Sequence, residues 1–318
     1  MFAGGLTYRS GRLIMKARFS FRDLSDLVTT NPEFQGMEVI VEKELLHYEL
    51  LHLLRRGGWL DQLVFQGGTA LRLFHGSARL SEDLDFSGGP DFSAERMTGL
   101  AGYLEDSLSR QTHGLDVSVR SPKTIHRLPG EIGVSTWRID VAIEPHQKHI
   151  PGQRIKIDID NTLSHTKETR QIRKNYNELP DYNLMVHVQS EEEILAGKIV
   201  AFSNSIMTRD RPRYRDIWDM NWLRARTGLR LDLLDSKMKE YNGSPDFIER
   251  ASSRVVGIVR SSAFTAEMSR FLLPGTVIET LDNSHFIDGL AEESERFLLK
   301  AAQGLLGNNE VGDSSPSP

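Results

Sequence analysis

The stretch FQGGTALRLFHGSARLSEDLDFSGG, residues 65 to 89, constrains this chain more than any other. A short strand pattern, Leu63-Val64-Phe65, runs into Gly67-Gly68. Thr69 to Phe74 then reads as one or two helical turns with Thr69 at the N-cap, and Leu84-Asp85-Phe86 belongs to the next strand. Residues i and i+2 of a strand face the same side, about 7 Å apart, so Asp83 and Asp85 present their carboxylates together. Burying such a pair uncompensated is costly, which calls for a cation or a basic partner. Taken alone the spacing is weak, because Asp-x-Asp recurs at 158/160 and surface acids are the default explanation. The order strand, Gly-Gly-Thr, short helix, Arg79-x-Ser81-x-Asp83-x-Asp85, strand is far more specific. Backbone N–H groups of a glycine turn and a helix N-terminus can hold phosphate, and Mg²⁺ takes carboxylate oxygens together with substrate phosphates.

The flanking patterns place this stretch in an α+β chain. Residues 41 to 56, VEKELLHYELLHLLRR, repeat apolar positions at helical spacing and stop at Gly57-Gly58; residues 93 to 112 read as a second helix. From 115 to 160 the period changes to two, most strictly in Ile155-Lys156-Ile157-Asp158-Ile159-Asp160. The run 137 to 143 precedes it across a loop with Pro145 and Gly152, which suits antiparallel neighbours. Ser190 to Met207 is helical, with Ser190 and Glu193 in a capping-box pattern. A further helix follows from Asp216 to Arg226, and 229 to 306 is mostly helical. These patterns divide the chain into an N-terminal extension (1–40), a mixed core (41–188), a helical region (189–306) and a tail (307–318) that reads as disordered.

Three further groups carry chemistry. Asp158 shares a strand face with Lys156 and Asp160 and is the preferred third carboxylate, with Asp140 and Asp160 as alternatives. Lys198 borders the apolar stripe Leu195, Ile199, Phe202 and Ile206, where a lysine either snorkels to solvent or serves a phosphate. The run RDRPRYRDIWD, 209 to 219, interleaves arginines with Asp210, Asp216 and Asp219; a solvated charge run is the default, and an acid held near substrate is the sharper reading. Lys167, Arg170, Arg173 and Lys174 form a second basic cluster, read as exposed helix or loop. His75 reads as packing rather than catalysis.

Composition removes whole classes. The 318 residues contain no cysteine, which excludes disulfides, Cys-ligated zinc and thiol catalysis. No apolar run reaches the ~18 residues that span a bilayer, so the chain reads as cytoplasmic with no membrane partner. A net charge of −5 gives no global nucleic-acid footprint, and any such contact must use a local patch. Zinc-protease, nucleophile-elbow and Walker patterns are absent from the sequence.

Together, Phe65–Phe74, Arg79–Phe86, Ile155–Asp158, Glu193–Lys198 and Tyr214–Asp219 resemble the AbiEii/AbiGii nucleotidyltransferase toxin family, within the DNA polymerase β-like superfamily. The matching motifs lie between about residues 41 and 222, in family order. The resemblance implies a polymerase β-like nucleotidyltransferase core with a mixed sheet and a helical C-terminal region. It implies an Mg²⁺-dependent (Mn²⁺ possible) toxin of a type IV-like toxin–antitoxin or phage-defence system. Such an enzyme would transfer NMP from an NTP to an acceptor hydroxyl, the tRNA 3′ end first among candidates, blocking translation and growth. By motif position, Asp83, Asp85 and Asp158 would hold metal, and Gly67, Gly68, Thr69, Lys198 and Arg215 would bind nucleotide. Asp216 would join the catalytic set by positioning the acceptor hydroxyl or a base. The family serine falls here on Gly68 or Thr69, a departure that leaves the phosphate contact open. A cognate antitoxin encoded by a neighbouring gene is the implied partner. Modification of a protein or small-molecule hydroxyl, and a non-catalytic nucleotide-binding module, stand as alternatives.

Overall fold

The computed structural model describes residues 21–111, 115–123, 132–142, 152–208 and 212–312. Helix α1 (Phe21–Thr29) packs on α2 (Glu38–Arg56) through the buried Phe21, Leu24 and Val28, so the segment 21–40 joins the same hydrophobic cluster. Strand β1 (Val64–Gln66) feeds α3 (Gly67–Ala70), which continues as a π-helical turn, Leu71–His75. Then follow β2 (Leu84–Ser87), α4 (Leu100–Gln111), β3 (Asp116–Arg120), β4 (Val134–Ala142), β5 (Gln153–Asp160), β6 (Glu168–Gln171) and β7 (Met185–Val188). Helices α5 (Glu191–Thr208), α6 (Tyr214–Arg224), α7 (Leu231–Glu240), α8 (Pro245–Val259), α9 (Ser262–Met268), α10 (Pro274–Thr280) and α11 (Ser284–Gly312) complete the chain. The last of these runs past 307, where the composition suggested disorder; 313–318 lie outside the described residues.

The strands form one mixed seven-stranded sheet in the order β3-β4-β5-β2-β1-β7-β6. The loop between β4 and β5 joins antiparallel neighbours, as the period-two runs implied. β5 is parallel to β2, and β1 is antiparallel to β2 but parallel to β7. The odd positions Trp137, Ile139, Val141, Ile155, Ile157 and Ile159 are buried in the core, with α2 and α4 packed against β5 and β3. The even positions of β4 and β5 therefore turn to the opposite face, and that alternation puts Lys156, Asp158 and Asp160 there.

The helical region shares this core. Leu195, Ile199, Phe202 and Ile206 of α5 are buried in the cluster that includes Phe65 and Phe86, and Leu80 N–H donates to the Phe271 carbonyl at 2.9 Å. The capping box of α5 is half formed. Ser190 Oγ accepts from Glu193 N–H at 3.3 Å, but the Glu193 carboxylate does not return to Ser190. It accepts instead from the N–H groups of His165 and Thr166 and lies 2.9 Å from Lys237 Nζ, so tertiary donors outcompete the local one.

Candidate active site

Strand register brings the acids together. Gln66 at the end of β1 stands opposite Asp85, and Asp85 stands opposite Asp158 on β5. The two acids are thus lateral neighbours on one sheet face, separated by one strand spacing of about 4.8 Å. Asp158 accepts a hydrogen bond from Thr136 Oγ1 of β4 at 2.6 Å. Asp83, just before β2, accepts from the Lys156 backbone N–H at 3.2 Å and from its Nζ at 3.3 Å. Burial, then the charges of Asp158 and Asp83, push the Asp85 carboxyl up to about 7, and Lys198 and Arg213 oppose this. Burial also raises Asp158; the Thr136 hydrogen bond opposes that rise and Asp83 adds to it.

The two glycines are dictated by close approach. Gly67 has φ +77°, and a Cβ there would lie 2.7 Å from Asp85 Oδ2. A Cβ at Gly68 would collide with the Arg79 guanidinium and come within 2.9 Å of Ser81 Oγ. The helix begins at Gly67, with Gln66 at the N-cap and no side-chain capping bond. Thr69 is therefore inside the first turn rather than at the cap. Its Oγ1 donates to the Asp83 carbonyl at 2.5 Å, which fastens the glycine turn to the acid-bearing segment. Gly68→Ala is expected to destabilise the protein by about 2 kcal/mol, since Arg79 and Ser81 are both buried and cannot withdraw freely. Thermal denaturation of the purified variant checks this.

Beside the acids lies an ionic chain in which Arg79, Lys198, Asp216 and Asp219 are buried and Arg213 is exposed. Arg79 Nε and Nη2 donate to the two oxygens of Asp219 at 2.7 and 2.8 Å. Lys198 Nζ lies 2.9 Å from Asp219 Oδ2 and donates to Asp216 Oδ1 at 2.7 Å, and Arg213 donates to the other Asp216 oxygen. Burial alone would raise both aspartates. Lys198 and Arg213 outweigh it at Asp216, holding that carboxyl well below the usual range, and Arg79 with Lys198 lowers Asp219. Burial would likewise lower Lys198, but Asp216 and Asp219 raise it, so its charge is fixed. Asp216 has both oxygens committed and is no proton acceptor; it positions Lys198 and Arg213.

A family model for the AbiEii toxin nucleotidyltransferases of type IV toxin–antitoxin systems matches residues 50–293, more than half of the chain. This chain belongs to the AbiEii nucleotidyltransferase toxin family. Among solved structures, JHP933 from Helicobacter pylori is 17% identical with a TM-score of 0.48, covering 86% of this chain and 97% of its own. A candidate nucleotidyltransferase from H. pylori is 16% identical with a TM-score of 0.50, covering 84% and 96%; at that identity the likeness concerns the fold. None of the curated proteins matches the chain.

Within this AbiEii chain the three acids, the glycine turn, Lys198 and Asp216 are brought to one region. Arg215 turns elsewhere: its Nη1 donates to Glu82 at 3.3 Å, and its guanidinium lies 4.6 Å from the centre of the Phe271 ring. Among the described residues of that run, Arg213 is the arginine whose charge reaches Asp85. Arg209, Asp210 and Arg211 lie outside the described residues. The alternatives for the third acid are otherwise engaged. Asp160 accepts from Gln66 Nε2 at 2.7 Å and from Thr162 Oγ1 at 2.6 Å, and Asp140 is bridged between Arg120 and Arg154. His75 packs, with Nε2 3.0 Å from the Gln189 carbonyl. Of the second basic cluster, Arg170 lies on the edge strand β6 rather than on a helix or loop, and Tyr176 is buried.

Sequence reasoning did not assign Arg79, Thr136, Arg213 or Asp219 a function. Arg79 and Asp219 had a signal, since each lies within a matched motif, but their pairing spans 140 residues. Thr136 had none.

The acids fit a hard divalent cation in donor chemistry: all are carboxylates, and Asp85 is raised by burial and then by the charges of Asp158 and Asp83 beside it. Among the described residues no group of three or more acids or histidines is already gathered for a metal ion, consistent with Asp83 being turned to Lys156. No helix among the described residues is long and apolar enough to cross a membrane.

Proposed function

We propose that this toxin transfers a nucleoside monophosphate from an NTP to the 3′-terminal hydroxyl of tRNA, blocking translation and growth. The observation that supports it is the juxtaposition of Asp85 and Asp158 with the Gly67-Gly68 turn on one side and the fixed cations Lys198 and Arg213 on the other. A triphosphate needs that division of labour: backbone donors and cations for its oxygens, and carboxylates at the reacting phosphorus. A divalent cation held by Asp83, Asp85 and Asp158, Mg²⁺ by its oxygen-only donors, would neutralise triphosphate charge.

The chain's own residues do the rest. The Gly67 and Gly68 amides and the first turn of α3 hold phosphate oxygens. Lys198 and Arg213, locked by Asp216, meet the charge that moves onto the leaving group. Asp158, beside Asp85 on the reacting face, takes the proton of the acceptor hydroxyl. The acceptor oxygen bonds to the α-phosphorus, the bond from that phosphorus to the bridging oxygen breaks, and pyrophosphate leaves. The product of a neighbouring antitoxin gene is the proposed partner, and phage defence the proposed setting.

The test is incubation of the pure protein with each labelled NTP and unfractionated tRNA, with Mg²⁺ or with EDTA. Label is expected on tRNA with Mg²⁺ only. Asp83→Ala should keep its circular dichroism spectrum and lose labelling by about 10²-fold or more. Label found on protein alone, or undiminished in Asp83→Ala, overturns the reading.

A further inference from the structure

The acid-bearing face of the sheet does not end at Asp158. Register carries it across β5, β4 and β3: Asp158 faces Thr136, Lys156 faces Arg138, Arg154 faces Asp140, and Arg138 and Asp140 face Arg120 and Ser118. Every one of these side chains is on the even-numbered face, opposite the buried Val117, Trp137, Ile139, Ile155 and Ile157. Arg138 is exposed, and the side chains of Arg120, Arg154 and Lys156 keep 58%, 63% and 42% of their surface. Four cations stand there against Asp116 and Asp140, with Lys156 paired to Asp83 at the end nearest Asp158, in a chain whose net charge is −5. A basic face on an acidic protein, contiguous with the reacting acids, is a local feature with a use.

We infer that this wing, Arg120, Arg138, Arg154 and Lys156 on β3–β5, is the track on which the acceptor polynucleotide lies as its 3′ end reaches Asp158. The inference rests on the nucleotidyl-transfer reading and adds the acceptor's path. Three arguments carry it. An end that reaches the acids must trail away somewhere, and the side toward α5 and α6 is occupied by the Lys198–Asp216–Asp219 chain. The cations step outward from Asp158 along β5 at about 7 Å intervals and across strands at about 4.8 Å, a flat lattice suited to successive phosphates. Asp140 accepts from Arg120 at 2.5 Å and from Arg154 at 2.7 Å. Exposed pairs of this kind contribute little to stability, and both guanidinium groups keep more than half of their surface, with N–H donors left over for phosphate.

The experiment is fluorescence anisotropy of labelled unfractionated tRNA from low to moderate salt, with transfer kinetics alongside. Arg120→Gln/Arg154→Gln is expected to weaken tRNA binding about tenfold at low salt. It should flatten the slope of log K against log salt by about 0.7–0.9 per lost contact and raise KM for tRNA, leaving kcat, NTP affinity and Tm unchanged. Asp140→Asn, which frees both arginines, should tighten binding. Arg110→Gln, on the exposed side of α4 behind the opposite sheet face, should change nothing. Unchanged tRNA affinity and slope in the double variant, or weaker binding in Asp140→Asn, overturns the inference. If the wild type labels tRNA while the double variant keeps the same KM, only the track fails. If the wild type labels no tRNA at all, the transfer reading fails with it.

Discussion

Asp85→Asn is expected to abolish nucleotide transfer, by about 10³-fold, while making the metal-free protein more stable. The two effects have one cause. Burial and the neighbouring Asp158 and Asp83 raise the Asp85 carboxyl to about 7, against an ordinary value near 3.8. Below about pH 4 both folded and unfolded chains carry this proton. Between about 4 and 7 the folded chain keeps a proton that the unfolded chain has released, so the group's contribution falls as pH rises. Above about 7 the folded chain carries the whole cost of a crowded charge. Asparagine keeps the shape without the charge. In EDTA the stability gap between variant and wild type should therefore widen by about 1–2 kcal/mol from pH 5 to pH 8, a figure discounted because Asp85 is only half-buried. Denaturant melts at the two pH values measure it. Added Mg²⁺ should raise the wild-type Tm and leave that of Asp85→Asn unmoved. A variant less stable than wild type at pH 8 would show that the crowding is already relieved by something other than a cation.

Asp219→Ala is expected to cost about 3–5 kcal/mol, a larger stability loss than that of Gly68→Ala. The residue receives two hydrogen bonds from Arg79 and lies 2.9 Å from Lys198 Nζ, all within the interior. Its removal leaves the Arg79 guanidinium buried without a counter-charge and halves the anchoring of Lys198. Tm should fall by about 6 °C or more. Arg79→Met/Asp219→Leu should recover much of this, because the desolvated pair is replaced by apolar volume while Asp216 still holds Lys198. Failure of the double variant to recover would mean that the pair also fixes the angle between α6 and the Gly67-Gly68 turn.

These expectations rest on features that differed in legibility. The alternation Ile155 to Asp160 fixed which side chains of β5 are buried, because a strand must turn alternate residues to opposite faces. The glycine pair marked a tight turn. The reason that each position must be glycine is a contact with Asp85 or with Arg79 and Ser81, and no local pattern contains such a contact. Thr69 looked like a helix cap because a hydroxyl before an apolar run usually is one; the helix instead begins at Gly67, two residues before it. The pattern Ser190-x-x-Glu193 was a correct helix start, but its glutamate was claimed by backbone donors at 165 and 166. Among Asp140, Asp158 and Asp160 the sequence preferred Asp158 but held no cross-strand contact to decide it. Each sits on an outward strand position, and only the neighbours across the sheet distinguish them.

By itself, then, the sequence determined the identity of the chemistry-bearing groups and their order: a glycine turn, two acids at strand spacing, a later acid, a lysine on a helix edge. Those follow from local periodicity and residue type, which act over a few positions. Tertiary structure alone decided which groups are free and which are spent. Asp160 is bound by Gln66 and Thr162, Asp216 is locked by Lys198 and Arg213, and Arg215 is turned to Glu82. Charge and hydrogen-bond partnerships between elements far apart in the chain depend on register and packing. That is why Asp85, in a motif with weak spacing of its own, becomes a carboxyl raised to about 7 beside Asp158.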